Sequence, residues 1–354
     1  MSAPRVTVLM PAFNVEKHLR AAVDSVLAQT FTDFEFLIVD DCSTDGTAAI
    51  LDSYTDPRIV RLRNAQNLGI VASLNTGIEA ARGQYIARMD GDDICLPGRL
   101  GAQVAHLDAH PQVVLLGTKY VHIDDEGQYV YHGFEMPPPP EPGTPGYMHW
   151  SLLWMTSVQH PTAMIRREAL GDLRYENDYF TAEDYDLWSR LGRRGQVERL
   201  QTVHLHYRVN PAGISMTKRQ HQLETHFRIT HRELSLMMGQ PVPESLARFL
   251  FHVAVPLPKD MLRSVPQADV TAALGLYWQI RQRFLATQAL TADERAHFDR
   301  EADRVLRKTL SAARSHCGPR ERLEVRGWVL WHAPKLFARL ALELVRSKFG
   351  RGTG

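Results

Sequence analysis

The first quarter of the chain alternates short apolar runs with longer amphipathic stretches, regularly enough to imply a topology. Val6-Thr7-Val8-Leu9-Met10 is apolar and β-branched and halts at Pro11, which reads as a buried strand. Leu19, Val23, Val26 and Leu27 then recur at helical spacing, with Asn14 placed to cap the helix they define. A second buried strand, Phe34 to Val39, ends at Asp40-Asp41. Ser43-Thr44-Asp45-Gly46-Thr47 supplies turn and capping chemistry for a helix through Ile50 and Leu51. A third strand over Ile59 to Leu62 leads to a turn at Asn67-Leu68-Gly69 and a helix marked by Ile70, Leu74, Ile78 and Ala81, stopped by Gly83. The fourth strand is Tyr85 to Met89. This alternation of strand and helix predicts an α/β fold with a mainly parallel sheet covered by helices on both faces.

Ligands of such sheets bind beyond the carboxyl ends of the strands. Three strands end there in chemically distinctive clusters: Pro11-Ala12-Phe13-Asn14, Asp40-Asp41 and Asp90-Gly91-Asp92-Asp93. Carboxylates crowded in a cleft are costly unless compensated, and a hard divalent cation such as Mg²⁺ or Mn²⁺ both suits their oxygens and grips a phosphate. Taken alone, such an acidic triplet is more commonly a solvated turn; its placement on the ligand edge favours a site. Neither GxxxxGK[ST] nor GxGxxG occurs, which argues against a P-loop NTPase or a dinucleotide dehydrogenase.

Beyond Pro97 the pattern predicts a helix to about His110 and a strand from Val113 to Tyr120. Asp124-Asp125-Glu126-Gly127 reads as a hairpin turn with solvated carboxylates, and Pro137 to Gly146 as a loop, a mobile rim or a spacer. Thr181-Ala182-Glu183-Asp184 opens a helix whose inner face includes Leu187, Trp188 and Leu191; Thr181-x-x-Asp184 also matches a capping box. A strand over Val203 to Tyr207 precedes a polar loop through Ser215 that suits a lid. From Thr217 onward the chain is helical in pattern: Thr217 to Met238, Glu244 to Val255, Ala268 to Leu285, and Asp293 to Ala313 with Thr291-x-x-Glu294 as a capping box. In the last segment Leu336, Phe337, Leu340, Leu344 and Val345 share one face, with Lys335, Arg339 and Arg346 on another, near Trp328 and Trp331. That pattern fits peripheral contact with an anionic membrane, or docking on the protein itself or a second subunit as a homodimer.

Composition narrows the class without choosing a function. The chain has 354 residues, 44% hydrophobic and 23% charged, with a formal net charge of +1, so about two domains are expected and no nucleic-acid partner. Its three cysteines lack metal or disulfide spacing, the N-terminus shows no signal peptide, and no apolar stretch reaches the roughly 20 residues that span a bilayer. A cytoplasmic protein, soluble or peripheral at the inner face of the membrane, is expected.

Taken together, the segments resemble the inverting, non-processive family 2 glycosyltransferases of GT-A fold. The resemblance is carried by Pro11-Ala12-Phe13-Asn14, Val39 to Thr47, Asn67-Leu68-Gly69, Met89 to Asp93, His160-Pro161, Ala182 to Trp188, and Tyr207-Arg208 with Ser215. It implies a catalytic region over 1–216, with a donor half to about 95 and an acceptor half after it, and a helical region over 217–354. It further implies a nucleotide-diphosphate sugar donor, a UDP-sugar in the first instance, and a saccharide or lipid-linked acceptor. Pro11, Ala12, Phe13, Asn14, Asp41 and Asn67 would line the nucleotide pocket, Asp41 accepting a hydrogen bond from the base. Asp92 would contact the metal, Asp90 the ribose or a metal-bound water, and Asp93 would shape the turn. Asp184 matches the general base, with Glu183 beside it; His160 and Trp188 fall on the acceptor side or are satisfied structural residues, and Tyr207, Arg208, Asn210 and Ser215 fall in the lid. Asn210 stands where the family often has histidine, which leaves a third protein ligand open. The QxxRW signature of processive synthases is absent. A sugar-nucleotide-forming nucleotidyltransferase would share the sheet and the acids but needs a Gly-rich basic N-terminal loop that Pro11 to Asn14 does not provide. A non-catalytic sugar-nucleotide- or carbohydrate-binding protein would not need both acidic motifs.

Overall fold

The computed structural model describes residues 3–130, 143–156, 158–210, 213, 217–255, 269–334 and 338. The chain divides into two units, Met1–Ile229 and Thr230–Gly354.

In the first unit, β1 (Val6–Ala12), α1 (Glu16–Leu27), β2 (Phe34–Asp40), α2 (Thr47–Asp52), β3 (Ile59–Arg63), α3 (Ile70–Ala80) and β4 (Tyr85–Arg88) follow the expected alternation. β1 is flanked by β2 and β4 and β2 by β3, all parallel. After β5 (Ile94–Cys95) come α4 (Arg99–Ala109), β6 (Val113–Ile123), α5 (Pro145–Ser151), β7 (Met164–Arg166), α6 (Arg167–Leu170), α7 (Glu183–Gly192) and β8 (Gln196–Arg208). Among the described residues these strands form one sheet in the order β3-β2-β1-β4-β7-β6-β8-β5. The pairings of β7 with β4 and β6, and of β5 with β8, are antiparallel, while β6 and β8 run parallel. Alternate residues of the strands feed two apolar layers, as the period of two requires. Leu9, Leu37, Val39 and Ile86 pack with α3 and α7 on one face; Val8, Met10, Phe36 and Ala87 pack with α1 and α4 on the other.

Four local expectations change. Asn14 does not cap α1: it has φ 51°, Val15 occupies the cap position, and the Asn14 side-chain oxygen accepts from the Thr44 N–H at 2.9 Å. The capping box at Thr181 does not form either. Thr181 has φ +80°, its Oγ1 lies 3.1 Å from His221 Nδ1, and Ala182 precedes the helix without a side-chain cap. The turn over 124–127 is present, but its carboxylates are engaged: Asp124 Oδ1 accepts from the Gln128 N–H at 2.8 Å, and Asp125 pairs with Lys17 and with His18 Nε2. Pro145, taken as part of a loop, opens α5 at a position where a missing N–H costs nothing; residues 137–142 lie outside the described ones.

α8 (Arg219–Met238) crosses the division between the units. The second unit continues with α9 (Glu244–Ala254), α10 (Val270–Thr287), α11 (Ala292–His316) and α12 (Pro319–His332). Its core includes Phe249, Leu250, Leu274, Tyr277, Ile280, Phe284, Phe298 and Leu306. The Thr291–Glu294 capping box is formed, with the Glu294 N–H donating to Thr291 Oγ1 and the Thr291 N–H to Glu294 Oε2. Among the described residues no helix is long and apolar enough to cross a membrane. The amphipathic segment expected over Lys335 to Arg346 lies outside the described side chains.

The C-terminal edge of β4 is braced by two buried polar residues of α4. Arg99 Nη2 donates to the carbonyls of Arg88 (2.8 Å) and Ala163 (3.3 Å), and its Nε to Gln103 Oε1 at 3.0 Å. Gln103 Nε2 donates to the carbonyls of Leu116 and Thr162, both at 2.9 Å. One turn of helix thereby joins β4, β6 and the turn that carries His160. Arg99→Met, which removes the guanidinium's hydrogen bonds to the Arg88 and Ala163 carbonyls and to Gln103, is expected to lower the unfolding free energy by about 2–4 kcal/mol. Urea denaturation monitored by circular dichroism checks it; an unchanged midpoint would show that the brace adds nothing.

Candidate active site

The parallel register brings the strand ends together. The Met89 N–H donates to the Leu9 carbonyl and the Asp41 N–H to that of Ala12, so the residues after β1, β2 and β4 share one edge. Phe13 and Asn67 are exposed there, while Ala12 and Asp41 are buried. Asp41 organises the neighbouring loop: Oδ1 accepts from Asn64 Nδ2 (2.7 Å) and the Leu68 N–H (2.9 Å), Oδ2 from the Gly69 N–H (2.8 Å). Gly69, at φ 84°, makes that turn without the strain a side chain would bring. Oδ2 of Asp41 keeps capacity for one further donor, as contact with a base would require.

At the centre, one oxygen from each of Asp90, Asp92 and Asp93 lies within 4.8 Å of the other two. Asp93 is thus more than the turn-shaping residue the sequence suggests. Its Oδ1 accepts from the Arg208 N–H at 2.7 Å, and its buried Oδ2 has no hydrogen-bond partner among the described residues. Burial, followed by the charge of Asp90, raises the Asp92 carboxyl to about 6, and the same causes with Asp92 added hold Asp93 well above its usual range. Arg208 ties the cluster to its surroundings through Nε to the Asp92 carbonyl (2.8 Å) and Nη1 to the carbonyls of Asp124 and Asp125. Tyr207 is half-buried, with its ring 5.3 Å from that of His122 and its hydroxyl made harder to ionise by burial and then by Asp90, Asp93 and Asp92. Arg208 and Tyr207 therefore belong to the wall of the cluster. The carbonyl of exposed Asn210 accepts from the Gly213 N–H at 2.9 Å; Ser215 lies outside the described residues.

Beneath the cluster sits Arg88, fully buried at the end of β4 and ion-paired with Asp90. Burial works against its charge, and Asp90 more than restores it. The same cation acts on Glu183 and Asp184 at the start of α7. Burial raises Asp184 to about 6; burial and then the charge of Asp184 raise Glu183 to about 7. Asp184 is partly buried and accepts from the Tyr185 N–H at 2.8 Å, whereas Glu183 is buried with Oε2 unpartnered among the described residues. Of the two, Asp184 is the less buried.

Of the two readings open for His160 and Trp188, acceptor side or structural, their burial matches the structural one. Trp188 is fully buried and its Nε1–H donates to the Val158 carbonyl at 3.2 Å. His160 is packed edge-on against it and hydrogen-bonded through Nε2 to the Tyr175 hydroxyl at 2.8 Å. Burial, with the nearby Arg88, holds the His160 imidazole neutral. Both side chains are buried, Trp188 on the inward face of α7 and His160 on the turn packed against it. Arg88, Arg99, Gln103 and Tyr175 were not anticipated; the signal available was an arginine inside an apolar strand and an Arg/Gln pair one turn apart on the apolar face of α4.

A curled, mostly parallel sheet with an acidic cluster at its edge and a second pair of acids on a facing helix defines the GT-A class of transferases. Residues 7–174 match the family model for Glycosyl transferase family 2. EpsE of Bacillus subtilis, assigned to the glycosyltransferases, is 36% identical over 200 residues, covering 55% of this chain and 69% of its own length. WfaP of Escherichia coli, a UDP-Glc:alpha-D-GlcNAc-diphosphoundecaprenol beta-1,3-glucosyltransferase, is 26% identical over 215 residues, covering 60% of this chain and 80% of its own. Among solved structures, S. aureus TarS in complex with UDP superposes with a TM-score of 0.54 at 18% identity, over 96% of this chain and 92% of that one. The mannosyltransferase PcManGT of Pyrobaculum calidifontis, in complex with GDP-Man and Mn²⁺, gives 0.53 at 17% identity, over 99% and 88%. These two show likeness of fold. The chain belongs to glycosyltransferase family 2 and is a glycosyltransferase, which sets aside the nucleotidyltransferase and binding-protein readings.

The cluster's electrostatics make a stability prediction. Folded Asp92 keeps its proton to about 6, against 3.8 for the free group. In that window the folded state binds more protons than the unfolded chain, so metal-free stability falls as pH rises through it. Asp92→Asn, assayed at neutral pH with EDTA, is expected to raise the unfolding free energy by about 1–3 kcal/mol. A destabilised variant would show that the three carboxylates do not repel one another.

Proposed function

We propose that this protein transfers one sugar from a nucleotide-diphosphate sugar to an acceptor hydroxyl, with inversion at the anomeric carbon, in the synthesis of a surface polysaccharide, glycolipid or glycoconjugate. The observation that carries the reading is the convergence of Asp90, Asp92 and Asp93 with the Glu183–Asp184 pair around one buried guanidinium, Arg88. Three carboxylates within reach of one ion, one with a buried oxygen lacking a partner, suit a hard divalent cation such as Mn²⁺ or Mg²⁺. Asp92, Asp90 and Asp93 would hold it, and once bound it supplies Lewis-acid neutralisation of the leaving diphosphate. Phe13, Asn14 and Asn67 bound the nucleotide side, and Asp41 accepts a proton donor of the base. Asp184 takes the acceptor hydroxyl's proton as that oxygen attacks the anomeric carbon from the face opposite the leaving group. Arg88 and the buried Glu183 fix the electrostatics in which Asp184 works. A UDP-sugar is the expected donor, in keeping with the UDP-bound relative, and a saccharide or lipid-linked acceptor is in keeping with the undecaprenol-linked substrate in the name of the E. coli relative.

Asp184→Asn is expected to bind donor as the wild type does and to lose transfer by about 10²–10⁴-fold. Asp92→Ala is expected to lose the extra thermal stabilisation that Mn²⁺ gives to donor binding. A thermal-shift screen of nucleotide-diphosphate sugars with and without Mn²⁺, followed by a transfer assay, reads both. Near-normal transfer by Asp184→Asn would overturn the base assignment. A base that must be ionised gives a rate that falls with falling pH, so the acid limb should centre at about 6 to about 7. A rate flat from pH 5 to pH 8 would contradict this assignment.

A further inference from the structure

Helix α12 is apolar on two opposite sides. Val325 and Val329 are buried, and Trp328 packs edge-on against Trp278 with ring centroids 5.9 Å apart. On the opposite side Leu323, Leu330 and Trp331 are 70%, 50% and 83% exposed. At 3.6 residues per turn Leu323, Gly327, Leu330 and Trp331 fall on one outward stripe, and a side chain added at Gly327 would meet open space. Arg320, 93% exposed and paired with Glu324 at 3.3 Å, lies at the N-terminal end of this stripe, and exposed Arg326 lies along one side of it. A helix with apolar residues on opposite faces is ordinarily covered on both.

Charge decides among the occupants. Residues 319–354 carry eight Lys and Arg against three Glu, although the whole chain stands at +1. A second copy of the face, or the basic residues that follow it, would bring like charges together. An anionic lipid surface would attract them, and tryptophan beside arginine is the composition that suits the headgroup level. We propose that the outer face of α12 docks on the surface of an anionic bilayer, with Leu323, Leu330 and Trp331 entering the headgroup–acyl boundary and Arg320 and Arg326 meeting lipid phosphates. Docking would place the enzyme where a lipid-linked acceptor resides, yet it needs no nucleotide sugar, so its failure would leave the transferase reading intact.

The test is sedimentation of the full chain with vesicles of phosphatidylcholine alone or mixed with phosphatidylglycerol. Binding is expected on the mixed vesicles, weakening with salt. Arg320→Gln with Arg326→Gln should weaken it roughly 25-fold. The combined Leu323→Ser, Leu330→Ser and Trp331→Ser variant, whose changes all face outward, should lose binding while its circular dichroism and melting curve stay those of the wild type. Equal binding to both vesicle types, or undiminished binding by the triple variant, would overturn the proposal. So would a concentration-dependent dimer that the triple variant cannot form, accompanied by no vesicle binding, which would assign the face to a second copy. Trp331 already shielded from an aqueous quencher in the lipid-free monomer would assign it to this chain's own residues.

Discussion

The buried guanidinium of Arg88 is the constraint on which the site depends. Placing a cation in the interior is costly unless opposite charge is close, and here Asp90 supplies the direct ion pair while Asp92, Asp93, Glu183 and Asp184 lie within its field. Five acids around one arginine leave excess negative charge. Burial raises the carboxyl groups of Asp92, Asp93, Glu183 and Asp184 above their ordinary range, repulsion between neighbouring acids adds to it, and the surplus of carboxylates makes the edge receptive to a divalent cation. The acids are destabilising neighbours, held together because the surrounding backbone leaves them little freedom to separate.

That rigidity has identifiable sources. β4 is flanked by β1 and β7, and its terminal carbonyl is fixed by Arg99. Arg208 anchors the far side of the acidic turn, reaching both Asp92 and the 124–127 turn, which Lys17 and His18 hold through Asp125. Three non-glycine residues with positive φ, Asn14, Cys42 and Thr181, follow β1, follow β2 and precede α7. Backbone strain of this kind persists where the surroundings over-determine the chain, and it gathers at functional sites. The same framework explains why Asp184 is less buried than Glu183: α7 turns its Tyr185, Leu187 and Trp188 into the core and leaves Asp184 partly accessible.

Much of this was legible from the residues. The first four strands are short apolar runs with abrupt polar ends, so both their existence and the edge on which their motifs meet follow from periodicity. The Thr291–Glu294 cap was legible because its chemistry is local. Features that depend on distant partners were not. Asn14 carries the composition of a helix cap, yet its side chain is claimed by Thr44, which no local pattern encodes. Trp188 looks alike in sequence whether it lines a pocket or fills a core. The two-residue β5 owes its existence to pairing with β8, about a hundred positions on. Arg88 and Arg99 stand out as charges in apolar positions, but their partners emerge only when β4, β6 and α7 come together.

The most direct test of the site is a crystal structure of Asp184→Asn with a bound nucleotide-diphosphate sugar and Mn²⁺, using anomalous scattering at the manganese edge. The expected result is a metal peak bounded by oxygens of Asp90, Asp92 and Asp93, touching the diphosphate, with the anomeric carbon turned toward residue 184. A metal bound elsewhere, or a donor whose anomeric carbon faces away from residue 184, would contradict the division of labour between the acidic cluster and α7.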